Sequence, residues 1–169
     1  MRVSETWMAT PLGWLRLWGD GSALCGIDFA RLPANWLAPS SLASRDVALE
    51  QAVIALRNYF DGVAPSVILP SLAPRGTPFQ MAVWDSLRDI PPAQTCTYGE
   101  LAGRLRSSPR AVGGALRANP IPILIPCHRV VGARGLGGYA GASAEGQARK
   151  RWLLAHEGAA LKFDGSPSI

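Results

Sequence analysis

A chain of 169 residues, 48% hydrophobic and 17% charged, is globular and long enough for one substantial core or two small ones. No apolar run approaches the ~20 residues of a membrane span, and the start M-R-V-S-E-T-W-M lacks the apolar stretch of an export signal, so a cytoplasmic protein without membrane contact is expected. Three cysteines and two histidines suit neither a disulfide framework nor a structural zinc site, so no metal and no other cofactor is expected.

The first quarter reads as sheet. Trp14 to Trp18 alternates Trp, Leu, Arg, Leu, Trp, and Gly19-Asp20-Gly21 supplies turn chemistry. Ala23, Cys25, Ile27 and Phe29 then line one face of a second strand, which makes Cys25 core packing. Residues 31–43 form a Pro/Ser/Ala loop. Ser44 or Asp46 is placed to cap a helix with Leu49, Val53, Leu56 and Phe60 at helical spacing, ending at Gly62. A further strand is expected near Val67 to Leu69. This part, residues 1–75, is read as a small α/β supporting domain, with a linker at Pro70 to Gly76.

Beyond the linker the helix starts are unusually legible. Thr77, Pro78 and Gln80 give a capping box with proline at the first helical position, and Phe79, Val83, Leu87 and Ile90 form a buried stripe. Thr97 with Glu100 is a second capping box, opening a helix over 98–106. Ser108-Pro109 starts a third, over 109–118. Two short helices so closely spaced fit a helix-turn-helix. In the third, Val112, Ala115 and Leu116 share the buried face. Arg110, Gly113, Gly114 and Arg117 share the opposite one, where two glycines cost roughly 1 kcal/mol each in helix propensity. Glycines flanked by arginines suit close approach to a nucleic-acid groove; packing on other protein would use them equally well. A last helix is expected from Ser143 or Ala144 to Glu157, with Ala148, Trp152 and Ala155 inward and Gly158 as its cap; residues 162–169 read as a loose tail. The C-terminal domain is thus mainly helical and spans 76–161.

Charge and chemistry meet in this second part. Residues 1–76 carry six arginines and six acids, whereas 77–169 hold the whole excess of +5. Six arginines and one acid, Glu100, lie between Cys96 and Arg134, a field suited to a polyanion. Asn119 to Val131 reads N-P-I-P-I-L-I-P-C-H-R-V-V, an extended or turn-like segment stiffened by prolines, which presents Cys127 beside His128. Side chains of adjacent extended residues diverge, so contact between them requires a turn or a bridging water. Positive surroundings, with Glu157 orienting the imidazole, would lower the thiol pKa. Three readings stay open on these residues alone: a cysteine hydrolase, a DNA-binding protein whose cysteine attacks the nucleic acid, and a DNA-binding module without chemistry. Charge and helix pattern favour the second.

The run R-A-V-G-G-A-L-R-A-N-P-I-P-I-L-I-P-C-H-R-V-V at 110–131 resembles the O6-alkylguanine-DNA alkyltransferases. So do T-P-F-Q at 77–80, T-Y-G-E at 97–100, G-Y-A-G at 138–141 and R-W-L-L-A-H-E at 151–157, while residues 1–75 match only loosely. The resemblance implies a repair protein that flips out O6-alkylguanine, and also O4-alkylthymine, and moves the alkyl group irreversibly to its own cysteine. It implies Cys127 as acceptor, His128 taking the thiol proton through a water, and Glu157 orienting His128. Arg110 would fill the gap left by the flipped base, Tyr98 would contact the rotated phosphate and the guanine edge, and Asn119 would join the helix-turn-helix to the active segment. Tyr139 would pack over the base, and the carbonyls of Cys127 and Val130 would hold its exocyclic amine. The implied partner is duplex DNA, with no obligate protein partner. Relatives without catalysis carry tryptophan in place of the cysteine. The chain is shorter than the family pattern between Cys127 and Tyr139 and longer between Tyr139 and Trp152.

Overall fold

The computed structural model describes residues 4–34, 46–63, 70–138 and 143–160. The chain divides into two compact units, Met1–Arg75 and Gly76–Ile169. No described helix is long and apolar enough to cross a membrane.

The first unit is a three-stranded antiparallel sheet, β1 (Ser4–Thr10), β2 (Gly13–Gly19) and β3 (Leu24–Phe29), in the order β1-β2-β3, with α1 (Val47–Phe60) packed on it. Leu15 and Leu17 of β2 are buried against Leu49, Ala52 and Leu56 of α1 as one core. Asp46 ties the unit together: its side chain accepts from the Leu49 amide as the cap of α1, from the Gly21 amide and from the Ser4 hydroxyl. Strand β1 has no clear sequence signal; its alternation is hidden because only Met8 is fully buried. Cys25 is a correction. Ala23 and Ile27 are buried as expected, but Cys25 and Phe29 are only partly so. Leu24 is fully buried, and its amide and carbonyl bond to Ser71 and Ala73 of the returning chain. The strand expected near Val67 lies outside the described residues.

The second unit holds α2 (Pro78–Arg88), β4 (Cys96–Thr97), α3 (Tyr98–Arg104), α4 (Pro109–Arg117), a 3-10 turn (Cys127–Arg129), β5 (Val130–Val131) and α5 (Ala144–His156). Both capping boxes form, Thr77 with Gln80 and Thr97 with Glu100, and Ser108 and Ser143 cap α4 and α5. Four residues separate α3 from α4, which pack together, and α2 packs on α4. β4 and β5 pair in parallel, Cys96 opposite Val130.

The inward face of α5 differs from the sequence reading. Ala148 and Ala155 are exposed and Trp152 is half-buried, while Gly146, Lys150, Leu153 and Leu154 are buried. The helix is rotated because a lysine, which apolar periodicity assigns to solvent, is fully enclosed: the Lys150 ammonium donates to the carbonyls of Val130 at 2.6 Å and Gly138 at 3.1 Å. Its methylenes pack while its charge is met by oxygens.

Trp84 supplies a packing signal that the expected stripe of α2 omitted. Fully buried, it donates its indole N–H to the Ala115 carbonyl at 2.9 Å, one of the last-turn carbonyls of α4 with no helical donor of its own. Trp84→Phe keeps most of the packing and strands that carbonyl, so it should cost about 1–3 kcal/mol in urea unfolding. An unchanged midpoint would show that the bond contributes nothing net.

Candidate active site

The proline-framed segment is neither a strand nor fully extended. Ile123 has φ +75, a left-handed conformation that β-branched residues avoid, and the turn closes through a bond from the Ile125 amide to the Ile121 carbonyl at 2.9 Å. Asn119 braces this turn from within, accepting from the Ile121 amide at 3.0 Å and donating to the Ile125 carbonyl at 2.8 Å. Strain of order 1–3 kcal/mol is tolerated at such positions only when surroundings dictate them, and here both Ile123 and its neighbours Ile121 and Ile125 are buried.

The chain emerges from this turn directly into the 3-10 turn Cys127–Arg129, whose three side chains are all buried. His128 is enclosed completely, and its Nε2 lies 2.7 Å from Oε1 of Glu157, the cap of α5. The same carboxylate accepts from Arg129, Nε to Oε2 at 2.9 Å and a terminal nitrogen to Oε1 at 2.9 Å. The other guanidinium nitrogen of Arg129 donates to the Ile90 carbonyl at 2.5 Å. The Nδ1 of His128 is buried with no hydrogen-bond partner.

Burial sets the resting protonation of this group. It pushes the Cys127 thiol up from the ordinary range, offset in part by the Asn119 side chain and the Lys150 charge. The expected lowered thiol pKa is therefore not met: the arginines of this region face elsewhere, and desolvation outweighs the one nearby ammonium. Burial likewise lowers His128, against the pull of Glu157. Glu157 is itself desolvated, yet hydrogen bonds from His128 and Arg129 and their charges hold it down to about 2. Lys150, desolvated, falls to about 8.

The Gly132–Gly138 segment is fastened beside the turn. Tyr98 donates its hydroxyl to the Gly138 carbonyl at 2.9 Å, the same oxygen that Lys150 reaches, and Gln147 donates to the Gly137 carbonyl. Gly137, at φ +71, lies so close to the Tyr98 ring that a Cβ would sit 2.7 Å from it, so only glycine fits.

Of the residues singled out from sequence, Cys127, His128, Glu157, Asn119, Tyr98 and Val130 thus belong to one cluster within the second unit, with Asn119 and Tyr98 only partly buried. Arg110 and Arg117 are exposed on α4, together with Gly114 and the partly covered Gly113. A Cβ at Gly114 would meet nothing, and one at Gly113 would only touch the Tyr98 ring at 3.8 Å. Tyr139 lies outside the described residues. Sequence reasoning missed Lys150 and counted Arg129 only among the charges around the thiol. The only available signal for Arg129 was its position beside His128; Lys150 had none. Among the described residues no cluster of three or more potential ligands could hold a metal ion.

Acid should unfold this unit in two steps. His128 binds its proton less readily folded than unfolded, so its stabilising contribution is whole above its ordinary 6.5 and is lost as pH falls below it. Glu157, held at about 2 against an ordinary 4.5, adds a second loss across that interval, on the order of 3 kcal/mol. Urea midpoints measured from pH 7.5 to 2.5 should fall in both windows, and Glu157→Gln should shrink the lower one, leaving the smaller share of the surface carboxylates Glu100 and, in the first unit, Asp20. A profile that is flat below pH 4.5 would contradict the buried ion pair.

Residues 78–159 match the family described as 6-O-methylguanine DNA methyltransferase, DNA binding domain. A methylated-DNA–protein-cysteine methyltransferase of Methanosarcina acetivorans is 40% identical over 152 residues, covering 88% of this chain and 94% of that protein. The crystal structure of a Mycobacterium tuberculosis O6-methylguanine methyltransferase is similar with a TM-score of 0.76 and 36% identity, covering 95% of this chain and 96% of that one. A crystal structure of Mycobacterium tuberculosis OGT in complex with DNA is similar with a TM-score of 0.72 and 38% identity, over 89% and 90% of the two chains.

Proposed function

The chain belongs to the 6-O-methylguanine DNA methyltransferase family, and on that premise we propose that it repairs DNA by moving the alkyl group of O6-alkylguanine, and of O4-alkylthymine, irreversibly to Cys127. The observation that carries this reading is the arrangement around His128. Its Nε2 is committed to Glu157 and its Nδ1 is buried without a partner, one residue from a buried, protonated thiol. That leaves Nδ1 to accept the thiol proton through a water. The sulfur then attacks the alkyl carbon, an S–C bond forms, the C–O6 bond breaks, and its electron pair goes to O6. The proton that left the thiol ends on the released guanine. Nothing regenerates the thiol from the thioether, so each molecule reacts once.

A thiol this enclosed reaches a base only if the base leaves the duplex, at a cost of a few kcal/mol in pairing and stacking. Helix α4 suits that task. Its exposed face has two glycines that no described residue crowds, which leaves room for the close approach of a duplex. Arg110, at the helix start, fills the space of the flipped base; Arg117 meets phosphate. Tyr98 contacts the rotated phosphate and the guanine edge, and Tyr139 packs over the base. The carbonyls of Cys127 and Val130 hold the exocyclic amine; the Val130 oxygen retains a lone pair beside Lys150. Asn119 couples α4 to the reactive turn through its two bonds.

Incubation with a duplex containing O6-methylguanine should add one methyl mass to the peptide bearing Cys127 and stop at one per protein. Repair that persists in Cys127→Ala would sink the assignment, and multiple turnover would favour a hydrolase. Arg110→Ala should slow transfer from duplex far more than from the free base O6-benzylguanine, where nothing is flipped. Equal losses on both would make Arg110 a fold or pocket residue. Gly114→Ala should raise stability by roughly 0.5–1 kcal/mol through helix propensity and weaken duplex binding. Unchanged affinity would remove the close-approach argument.

A further inference from the structure

Arg129 is buried, yet the proposed transfer gives it nothing to do. A carboxylate that faces a histidine alone in a desolvated site draws a proton onto the imidazole, because the nearby anion favours the charged form. A histidine already protonated at rest has no lone pair with which to accept the thiol proton. Glu157 does not face His128 alone. Arg129 occupies both carboxylate oxygens as a fork, and Oε1 is shared between Arg129 and His128 Nε2. A guanidinium does not release its proton at any relevant pH, so the carboxylate offers His128 a hydrogen-bond acceptor with its charge already matched.

The remaining surroundings point the same way. Helix α5 presents Glu157 and the Lys150 ammonium to the turn, and the turn itself carries Cys127 and Arg129. His156 of α5 is instead stacked on Trp152. On the other side, α2 brings the Ile90 carbonyl, already taken by Arg129, while its Asp85 and Arg88 are exposed. Arg129 at any relevant pH, and Lys150 below about 8, therefore stand as cations against one anion around the imidazole.

We infer that Arg129 is a positioning residue of the transfer: by sharing Glu157 with His128 it holds the imidazole neutral, with the proton on Nε2 and Nδ1 free to receive the one from Cys127. This rests on His128 being the proton acceptor. In the reaction the imidazolium forms only transiently, in a site of excess positive charge, which returns the proton toward the guanine anion as the C–O6 bond breaks. The site is thus set for a proton to arrive and to leave.

The test uses the full chain. With [15N]histidine, and His156→Gln to assign the only other ring, His128 should show the neutral Nε2–H form at pH 7; an imidazolium there overturns the inference with no substitution at position 129. Single-turnover transfer from duplex O6-methylguanine is then followed from pH 5 to 9. In wild type the acid limb should lie below the ordinary histidine range. Arg129→Met should move that limb up by at least about one unit, slowing transfer ~tenfold near pH 6 while leaving it near wild type at pH 8.5. Arg129→Lys, which keeps the cation, should leave the limb in place. A uniform loss at every pH in Arg129→Met, or a limb that moves as far in Arg129→Lys, would overturn the charge argument. Should Arg129→Met fail to fold, the ring spectrum and the lysine variant still decide. If His128→Ala retains the wild-type acid limb, the proton-acceptor reading itself has failed, a different result from any of these.

Discussion

One carboxylate has to satisfy two donors that come from a single three-residue turn. Glu157 ends α5, and its two oxygens take Arg129 as a fork and His128 at one corner. A buried carboxylate with a single partner would be costly, because an uncompensated interior charge is destabilising by several kcal/mol. With two partners it becomes a clamp that fixes how α5 docks, which way the 3-10 turn faces and which imidazole nitrogen is left over. Lys150, seven residues earlier on the same helix, repeats the device with carbonyl oxygens. Helix α5 is therefore held to the reactive segment by charge at two points and by Leu153 and Leu154 between them.

What could be read from sequence was what short-range chemistry controls. Thr77, Thr97, Ser108 and Ser143 each mark a helix start because the cap is made within three residues, and all four are in place. The buried face of α4 was legible for the same reason: Val112, Ala115 and Leu116 are apolar and recur at helical spacing. The face of α5 was not, since it turns on a lysine whose partners lie twelve and twenty residues away. Nor was the left-handed Ile123, which local preference opposes and only the surrounding core imposes. The pairing of His128 with Glu157 was expected from the few acids near the C-terminus and again from the family resemblance; Arg129 as third member of that group needed coordinates. Counting arginines along the chain misjudged the thiol, because exposed charges are screened and burial is not.

Tyr98 shows how closely fold and site are merged. It opens α3, its ring closes against Gly137, its hydroxyl holds the Gly138 carbonyl, and the Lys150 ammonium lies 5.7 Å from the ring centroid. The Gly132–Gly138 segment is gripped by Tyr98 of α3 and Lys150 of α5, and Gln147 of α5 adds a third contact.

The raised thiol pKa has a consequence for survival between encounters. On the proposed single-use transfer, a permanently reactive cysteine would be exhausted by stray oxidants and electrophiles before any lesion arrived. Thiolate, not thiol, is what such reagents attack. Cys127 is 7% exposed and protonated at rest, and Cys96 is buried as well, whereas Cys25 in the other unit is the one cysteine with appreciable surface. Iodoacetamide or peroxide would meet Cys25 first. On that proposal, desolvation keeps Cys127 dormant until an alkylated base is delivered against it.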